Sequence, residues 1–152
     1  KYDDSTRADI NDASTRPFVM FRFSDVYLVA AEAAFKAGDN DNAALMLNVL
    51  RQRAAYRATN TAQENADAVV AQTIQSSDVR LDFILDEYTR ENYGSCQRWW
   101  DLVRTQSLVR RVQMYNPEAA ANIQPYHVLR PIPQTQIDLV TSGPAFPQNP
   151  GY

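Results

Sequence analysis

The chain has 152 residues, a formal net charge of −3, and 45% hydrophobic against 22% charged residues. These values are typical of one globular domain with its own core, and they exclude wholesale disorder. The acidic balance offers no basic face for nucleic acid, and no apolar run approaches the roughly 20 residues that cross a bilayer. With one histidine, one cysteine and no phosphate-binding loop, we expect no metal ion, no cofactor and no internal disulfide.

The first part of the chain, residues 1–20, is rich in Asp, Asn, Ser and Thr and predicts an irregular lead-in. It contains no initiator Met, signal peptide or lipid-attachment cysteine, so we interpret the chain as a piece of a longer protein. We expect residues 1–152 to form a single domain. Its helical body is predicted over 21–115, and a short helix with an ordered tail over 116–152.

A helical hairpin is predicted at the start of this body. Its first helix is expected at about Ser24–Ala37, stopped by Gly38, because glycine enters the left-handed conformation without steric cost. The second helix is expected at about Asn42–Ala58, after several N-cap candidates from Asp39 onward. Apolar residues spaced by three and four predict the inner faces: Phe23, Tyr27, Ala30, Ala31 and Ala34, then Ala43, Leu47, Leu50 and Ala54. The pair resembles one tetratricopeptide-type hairpin.

Further helices and a proline-rich tail complete the predicted fold, whose class is all-α. The helices are expected at 66–74, 78–93 (N-capped by Ser77), 97–105, 108–115 and a short one opened by Asn116-Pro117. The inner face of the 78–93 helix is predicted to be Leu81, Ile84, Leu85 and Tyr88. Six prolines from Pro125 onward forbid a long helix or a central strand. The tail must therefore lie against the helices, and its expected anchors are Ile132, Ile137, Leu139 and Phe146.

Carboxylates on the 78–93 helix form pairs at a spacing of four, among them Glu87 and Glu91. A glycoside hydrolase would need two such groups about 5 to 10 Å apart in an open cleft. Nearby arginines favour a structural role instead, because Asp86 and Arg90 are spaced as a helical ion pair. The pattern of Glu87, Glu91, Arg98 and Asp101 indicates a charge network that ties two helices together. We predict no catalytic residue and no enzymatic activity.

Two adjacent tryptophans are the main candidates for ligand contact. Trp99 and Trp100 point about 100° apart on a helix, so both rings are rarely fully buried. Helix packing is the favoured interpretation of both, more strongly for Trp99. An exposed Trp can stack on a sugar ring, and Tyr93 is close in sequence, so Trp100 and Tyr93 are the candidate ligand-binding residues. His127 is expected to be hydrogen-bonded or exposed.

A series of short motifs along nearly the whole chain resembles the SusD/RagB family. In order, they are Arg22 to Leu28, Ala31-Glu32-Ala33, Asn48 with Arg51-Gln52-Arg53, Glu87 with Glu91, Arg98 to Arg104, Pro131-Ile132-Pro133 and Gln148 to Tyr152. The chain departs from the usual pattern at Tyr88, where an arginine is common, and at Ser95-Cys96, where Glu-Gly is common. The combination of motifs in this order is more specific than any one of them.

The resemblance implies the C-terminal scaffold region of a cell-surface outer-membrane lipoprotein. Such a protein captures oligosaccharides or polysaccharides for import through a partner, a SusC-like TonB-dependent transporter. Its membrane attachment would be only through a lipid anchor that this chain does not contain. None of the matched motifs is a ligand motif, so the resemblance assigns no binding residue here. The alternatives are a stand-alone tetratricopeptide-like protein-interaction module and, from a third class, the hydrolase considered above.

Overall fold

The computed structural model describes residues 4, 6–9, 11–17 and 19–152, and within these ranges the chain is helical without β-strands. The α-helices are α1 (Phe23–Lys36), α2 (Asn40–Ala55), α3 (Ala62–Gln72), α4 (Leu81–Glu91), α5 (Arg98–Arg104), α6 (Leu108–Tyr115), α7 (Pro117–Ala120) and α8 (Gln134–Asp138). The all-α prediction is confirmed. No helix in the described ranges has the length and apolar character needed to cross a bilayer.

The chain divides into two compact units, residues 1–91 and 92–152. The first contains the lead-in and α1 to α4, and the second contains α5 to α8 and the tail. Each unit is described by itself below. The expectation of a single domain over the whole chain stays a prediction.

In the first unit, α1 and α2 pack against each other across a short turn, as predicted. Gly38 in this turn has a positive φ of 80°, a conformation that glycine adopts without strain. Among the N-cap candidates, Asp39 caps α2, and its Oδ1 accepts a hydrogen bond from the Asn42 backbone at 3.0 Å. Both helices begin one or two residues earlier than predicted. The likeness to a tetratricopeptide hairpin stays a prediction.

The core of the first unit lies between α1, α2 and α4. Its fully buried side chains are Leu28, Leu47, Ile84 and Leu85, each of which contributes about 1.5–3 kcal/mol by leaving water. Ala43, Leu50 and Tyr88 are also buried, which confirms most of the predicted inner faces of α2 and α4. The prediction was wrong for Ala54, which is exposed. The buried residue in the last turn of α2 is its neighbour Ala55.

The inner face of α1 differs from the prediction. The buried residues are Ser24, Asp25, Leu28, Ala31 and Glu32. Of the predicted stripe, Ala31 is buried and Tyr27 and Ala34 are partly buried against the core, whereas the side chain of Phe23 is 73% exposed. The buried Asp25 accepts a hydrogen bond from the Arg22 backbone at 2.7 Å. Because the opposite side of α1 is also apolar, periodicity alone did not decide which side meets the core.

The start of α4 lies three residues beyond the prediction. Ser76–Asp78 forms a 3-10 turn instead, in which Asp78 Oδ2 accepts from the Gln75 backbone at 2.9 Å. Ser77 lies inside this turn and is therefore not the N-cap of α4. Before it, α3 is longer than predicted because Thr61 and Glu64 form a capping box.

In the second unit, the short helices agree with the predictions within one residue at each end. Asn116 caps α7, its Oδ1 accepting from the Ala119 backbone at 3.2 Å, and Pro117 occupies the first turn. The proline-rich tail contains only a 3-10 turn, Pro125–Val128, and the five-residue α8.

Candidate functional site

Near the end of the chain, two of the motifs meet and form what we call the C-terminal clasp, residues 129–132 with 148–152. The side-chain amide of Gln148 engages the backbone of Ile132 on both sides. Its Oε1 accepts from the Ile132 N–H at 2.7 Å, and its Nε2 donates to the Ile132 carbonyl at 2.8 Å. One side chain thus satisfies both polar groups of a residue that has no neighbouring strand.

Two further hydrogen bonds close the clasp. Asn149 Nδ2 donates to the Arg130 carbonyl at 2.7 Å, and the Tyr152 hydroxyl donates to the Leu129 carbonyl at 2.8 Å. The last five residues therefore bind the backbone of three residues on the N-terminal side of Pro133, namely Leu129, Arg130 and Ile132.

Aromatic rings back the clasp on one side. The Tyr126 and Tyr152 rings meet edge to face, with centroids 5.2 Å apart, an arrangement that aromatic quadrupoles favour. His127 lies beside them, and its Nδ1 accepts from the Gln124 backbone at 2.8 Å. The prediction that His127 is hydrogen-bonded is confirmed.

The tail is held differently from the prediction. Ile132 and Ile137 are half-buried, but the expected anchors Leu139 and Phe146 are exposed. Leu139 is the C-cap residue of α8, and its side chain is exposed to solvent. Hydrogen bonds to the backbone, not burial of those two side chains, fix the path of the tail.

The same kind of amide clamp occurs twice in the first unit. Asn48 donates to the Ile74 carbonyl and accepts from the Ile74 N–H, both at 2.9 Å. Asn65 binds the backbone N–H and carbonyl of Arg57 at 2.9 and 3.0 Å. Asn48 belongs to a family motif, and its role in this structure is to hold the segment that follows α3.

The tryptophan motif is joined to the clasp through Arg130. The guanidinium carbon of Arg130 lies 5.1 Å from the Trp99 ring centroid and 5.8 Å from that of Trp100. Both distances are within cation–π range, where an exposed contact contributes about 0.5–1 kcal/mol. Trp99 is half-buried, in agreement with the helix-packing interpretation, whereas Trp100 is 63% exposed, so that interpretation was wrong for Trp100.

The second candidate residue, Tyr93, lies in the turn before α5 and is 87% exposed. Within the part of the chain that the structure describes, no ring contact or hydrogen bond joins Tyr93 to Trp100. The residue that the structure brings to Trp100 is Arg130. Sequence reasoning missed Arg130 because it is 30 positions away along the chain and no periodic pattern connects the two.

The carboxylates considered for catalysis form ion pairs. Buried Glu87 accepts from Arg51 at 2.9 Å and from Arg90 at 2.5 Å, and Glu91 pairs with Arg53. The pairs with Arg51 and Arg53 join α4 to α2, a connection between helices that the sequence pattern did not indicate. The pair with Arg90 lies within α4. Glu87 is thus enclosed by guanidinium groups and does not line an open cleft of the kind that a glycosidase acid occupies.

Two other kinds of potential site were considered, a metal-binding cluster and a surface groove. Across residues 4–152, apart from the few positions left undescribed, no three His, Cys, Asp or Glu side chains are arranged to hold a metal ion. An open polar groove is lined by Gly38 to Asp41, Ser76 and Ser77. The Asp39 carboxylate in this groove already accepts hydrogen bonds from the side chain and the backbone of Asn42. These hydrogen bonds lower the pKa of Asp39.

Comparison with known proteins identifies the chain as a member of the SusD family, whose model matches residues 3–152. It is similar to two proteins of Formosa agariphila. "SusD-like protein P25" is 34% identical over 126 residues, which are 80% of this chain and 22% of that protein. "SusD-like protein P38" is 34% identical over 91 residues, 60% of this chain and 17% of that protein.

The chain therefore spans only about a fifth of the length of the curated relatives that it matches. No solved structure matches it significantly. The family resemblance inferred from the motifs is confirmed.

Proposed function

We propose that the chain is the scaffold region of a SusD-like, cell-surface lipoprotein that captures glycans. In this proposal, the full-length protein sits on the outer membrane by a lipid anchor and passes oligosaccharides to a SusC-like TonB-dependent transporter. It performs no chemistry itself. The observation that carries the proposal is the family match, which extends over residues 3–152.

The contacts of the motif residues support a scaffold role. Asn48 and Gln148 are engaged with backbone groups. Arg51 donates to the Gln72 carbonyl at 2.6 Å as well as to Glu87. Side chains that are committed to internal hydrogen bonds of this kind are not free to recognise a sugar. The motifs therefore explain how the chain folds and leave glycan recognition mainly to the rest of the full-length protein.

If this chain contacts glycan directly, Trp100 is the residue that we propose for it, with Tyr93 as the second candidate. An exposed indole ring offers a flat apolar surface against which the C–H face of a pyranose packs. Arg130 lies over the Trp100 ring, so it restrains the ring and adds a hydrogen-bond donor beside it.

The test is affinity electrophoresis through gels that contain plant, algal or host polysaccharides. This chain and its full-length parent are run side by side. We expect at least one polysaccharide to retard the full-length protein and none to retard this chain. If no polysaccharide retards the full-length protein, the glycan-binding proposal fails.

If this chain itself is retarded, the scaffold assignment fails, and Trp100→Ala and Tyr93→Ala decide where the sugar binds. Tyr115→Ala is the matched control. Tyr115 is 62% exposed and also lies under a guanidinium group, that of Arg111 at 4.8 Å. Loss of retardation with Trp100→Ala but not with Tyr115→Ala would locate the contact.

A further inference from the structure

The side of α1 that faces away from the core is apolar from Phe23 to Ala33. We call it the outer face of α1, and it comprises Phe23, Val26, Val29, Ala30 and Ala33. Phe23, Val26, Val29 and Ala33 are exposed, and Ala30 is half-buried. No charged residue interrupts this face, whereas the buried side of the same helix contains Asp25 and Glu32. The charge distribution of α1 is thus the reverse of that of an ordinary surface helix.

A helix that is apolar on both sides is normally covered on both sides. Met20 and Phe21, which directly precede α1 in the chain, are also exposed. An exposed apolar patch such as the outer face marks an interaction site. The C-terminal end of this face is formed by Ala30 and Ala33, whose small side chains allow a second helix to approach to about 8–10 Å between axes.

The outward side of α2 has a different character. Exposed Leu45 and Val49 lie there beside exposed Asp41, Gln52 and Arg53. Single apolar residues among polar ones are normal on a solvated surface. The two helices of one hairpin therefore differ, because α1 has no exposed polar residue before Lys36 in its last turn.

We propose that the outer face of α1 is a docking surface for a helix supplied by the rest of the same polypeptide, outside these 152 residues. The inference rests on the part of the proposed function that makes this chain one region of a longer SusD-like protein. P25 matches this chain over only 22% of its own length, so a protein of that size has ample chain to provide the cover. The family match includes all of α1.

The outer face also defines the chemistry of its occupant. An uncharged strip along about three helical turns accepts a helix with apolar residues at positions i, i+3, i+4 and i+7. A charged side chain opposite Val26 or Ala30 would be desolvated without a partner, which opposes binding. The occupant is therefore an apolar helical stripe.

Maleimide labelling of two matched cysteine variants tests the proposal. Val26 and Leu45 are both 56% exposed here and lie on the two helices of one hairpin. V26C and L45C are each made with Cys96→Ser, in this chain and in the full-length protein, and labelling is located by peptide mass spectrometry. In this chain the two cysteines should react at similar rates. In the full-length protein, V26C should react at least ~10-fold more slowly than L45C, because a covered site reacts only through local opening.

Three results would overturn the proposal. In the first, V26C in the full-length protein reacts as fast as L45C. In the second, V26C is protected in this chain and the protection disappears on dilution with the mass of a dimer, so the occupant is a second copy. In the third, V26C is protected in the monomeric 152-residue chain, so the cover is already present within it. None of these readouts involves glycan, so a failure of glycan binding in the gels leaves this inference standing, and the reverse also holds.

Discussion

At the scale of single residues, Gly151 meets two requirements at once. Its φ is +98°, in the region that disfavours side chains. A Cβ built on it would lie 2.6 Å from Cδ2 of Tyr126, well inside van der Waals contact. Gly143 has a similar φ of +89°, but a Cβ there would meet nothing within 4 Å. A side chain at Gly143 would therefore cause backbone strain alone, whereas a side chain at Gly151 would cause both backbone strain and steric overlap with Tyr126.

Replacing each glycine by alanine should destabilise the second unit to different extents. Gly143→Ala carries only the left-handed backbone penalty, about 1–2 kcal/mol. Gly151→Ala also forces the Tyr126 ring to move, and we expect an additional loss of about 1–3 kcal/mol. Urea unfolding followed by tryptophan fluorescence measures both, since both tryptophans lie in residues 92–152. An equal decrease in the free energy of unfolding of the two variants would mean that the Tyr126 ring moves aside without an energetic cost, which would contradict the prediction.

At the scale of elements, the lead-in is organised around one carboxylate. Asp4 is buried, and its oxygens accept hydrogen bonds from Thr6 Oγ1 at 2.5 Å, Ser14 Oγ at 2.8 Å and the Thr15 backbone at 3.1 Å. The hydroxyl donors of Thr6 and Ser14 are the main reason that the pKa of Asp4 lies well below its ordinary value of 3.8. A single side chain thus fastens two loop segments ten residues apart.

This lowered pKa predicts a pH dependence of stability. The unfolded chain binds a proton at Asp4 more readily than the folded one, so the contribution of Asp4 is fully present above about pH 5 and is lost as the pH falls below 3.8. Asp4→Asn should therefore be less stable than the wild type near neutral pH, and the difference should shrink in acid. Chemical unfolding followed by far-UV circular dichroism at several pH values measures it. A difference that stays constant with pH would contradict the assignment.

The elements also show where sequence reasoning succeeded and where it stopped. Caps are local, so Asn116-Pro117 was found from residue types and spacing alone, and Asp39 was among the candidates for α2, although Ser77 was wrongly predicted as a cap. The orientation of α1 was found only in part, because Phe23 and Leu28 are equally good core residues and lie on opposite sides of the helix. Only the position of a covering partner distinguishes those sides, and the pattern within one helix contains no such information.

At the scale of the whole molecule, amide clamps tie distant segments together in both units. Asn48 reaches Ile74 across 26 positions, and Gln148 reaches Ile132 across 16. Contacts at such separations leave no periodic trace in the sequence. The motifs nevertheless contain both clamp residues, so the family resemblance pointed to them without indicating their partners. The position of Arg130 over the tryptophans was beyond prediction for the same reason.

Removing either clamp should weaken the unit that contains it. Asn48→Ala and Gln148→Ala each leave a partly buried N–H and carbonyl without their partner, and we expect a loss of about 1–3 kcal/mol. Far-UV circular dichroism, to which the longer helices α1 to α4 contribute most, follows unfolding of Asn48→Ala, and tryptophan fluorescence follows residues 92–152 in Gln148→Ala. Gln134→Ala is the control, because Gln134 donates only to the exposed Asp138 side chain on its own helix. A clamp variant no less stable than this control would show that its hydrogen bonds add nothing.

The C-terminal clasp has a practical consequence for labelling the protein. Residues 133–147 leave and re-enter the clasp, so their two ends are fastened at one point, while Ser142 and Gly143 between them are exposed. Lengthening a loop whose ends are already fixed adds little entropic penalty, because that penalty grows only with the logarithm of loop length. An epitope or a fluorophore-binding peptide inserted there would be held at both ends by the clasp and exposed between them.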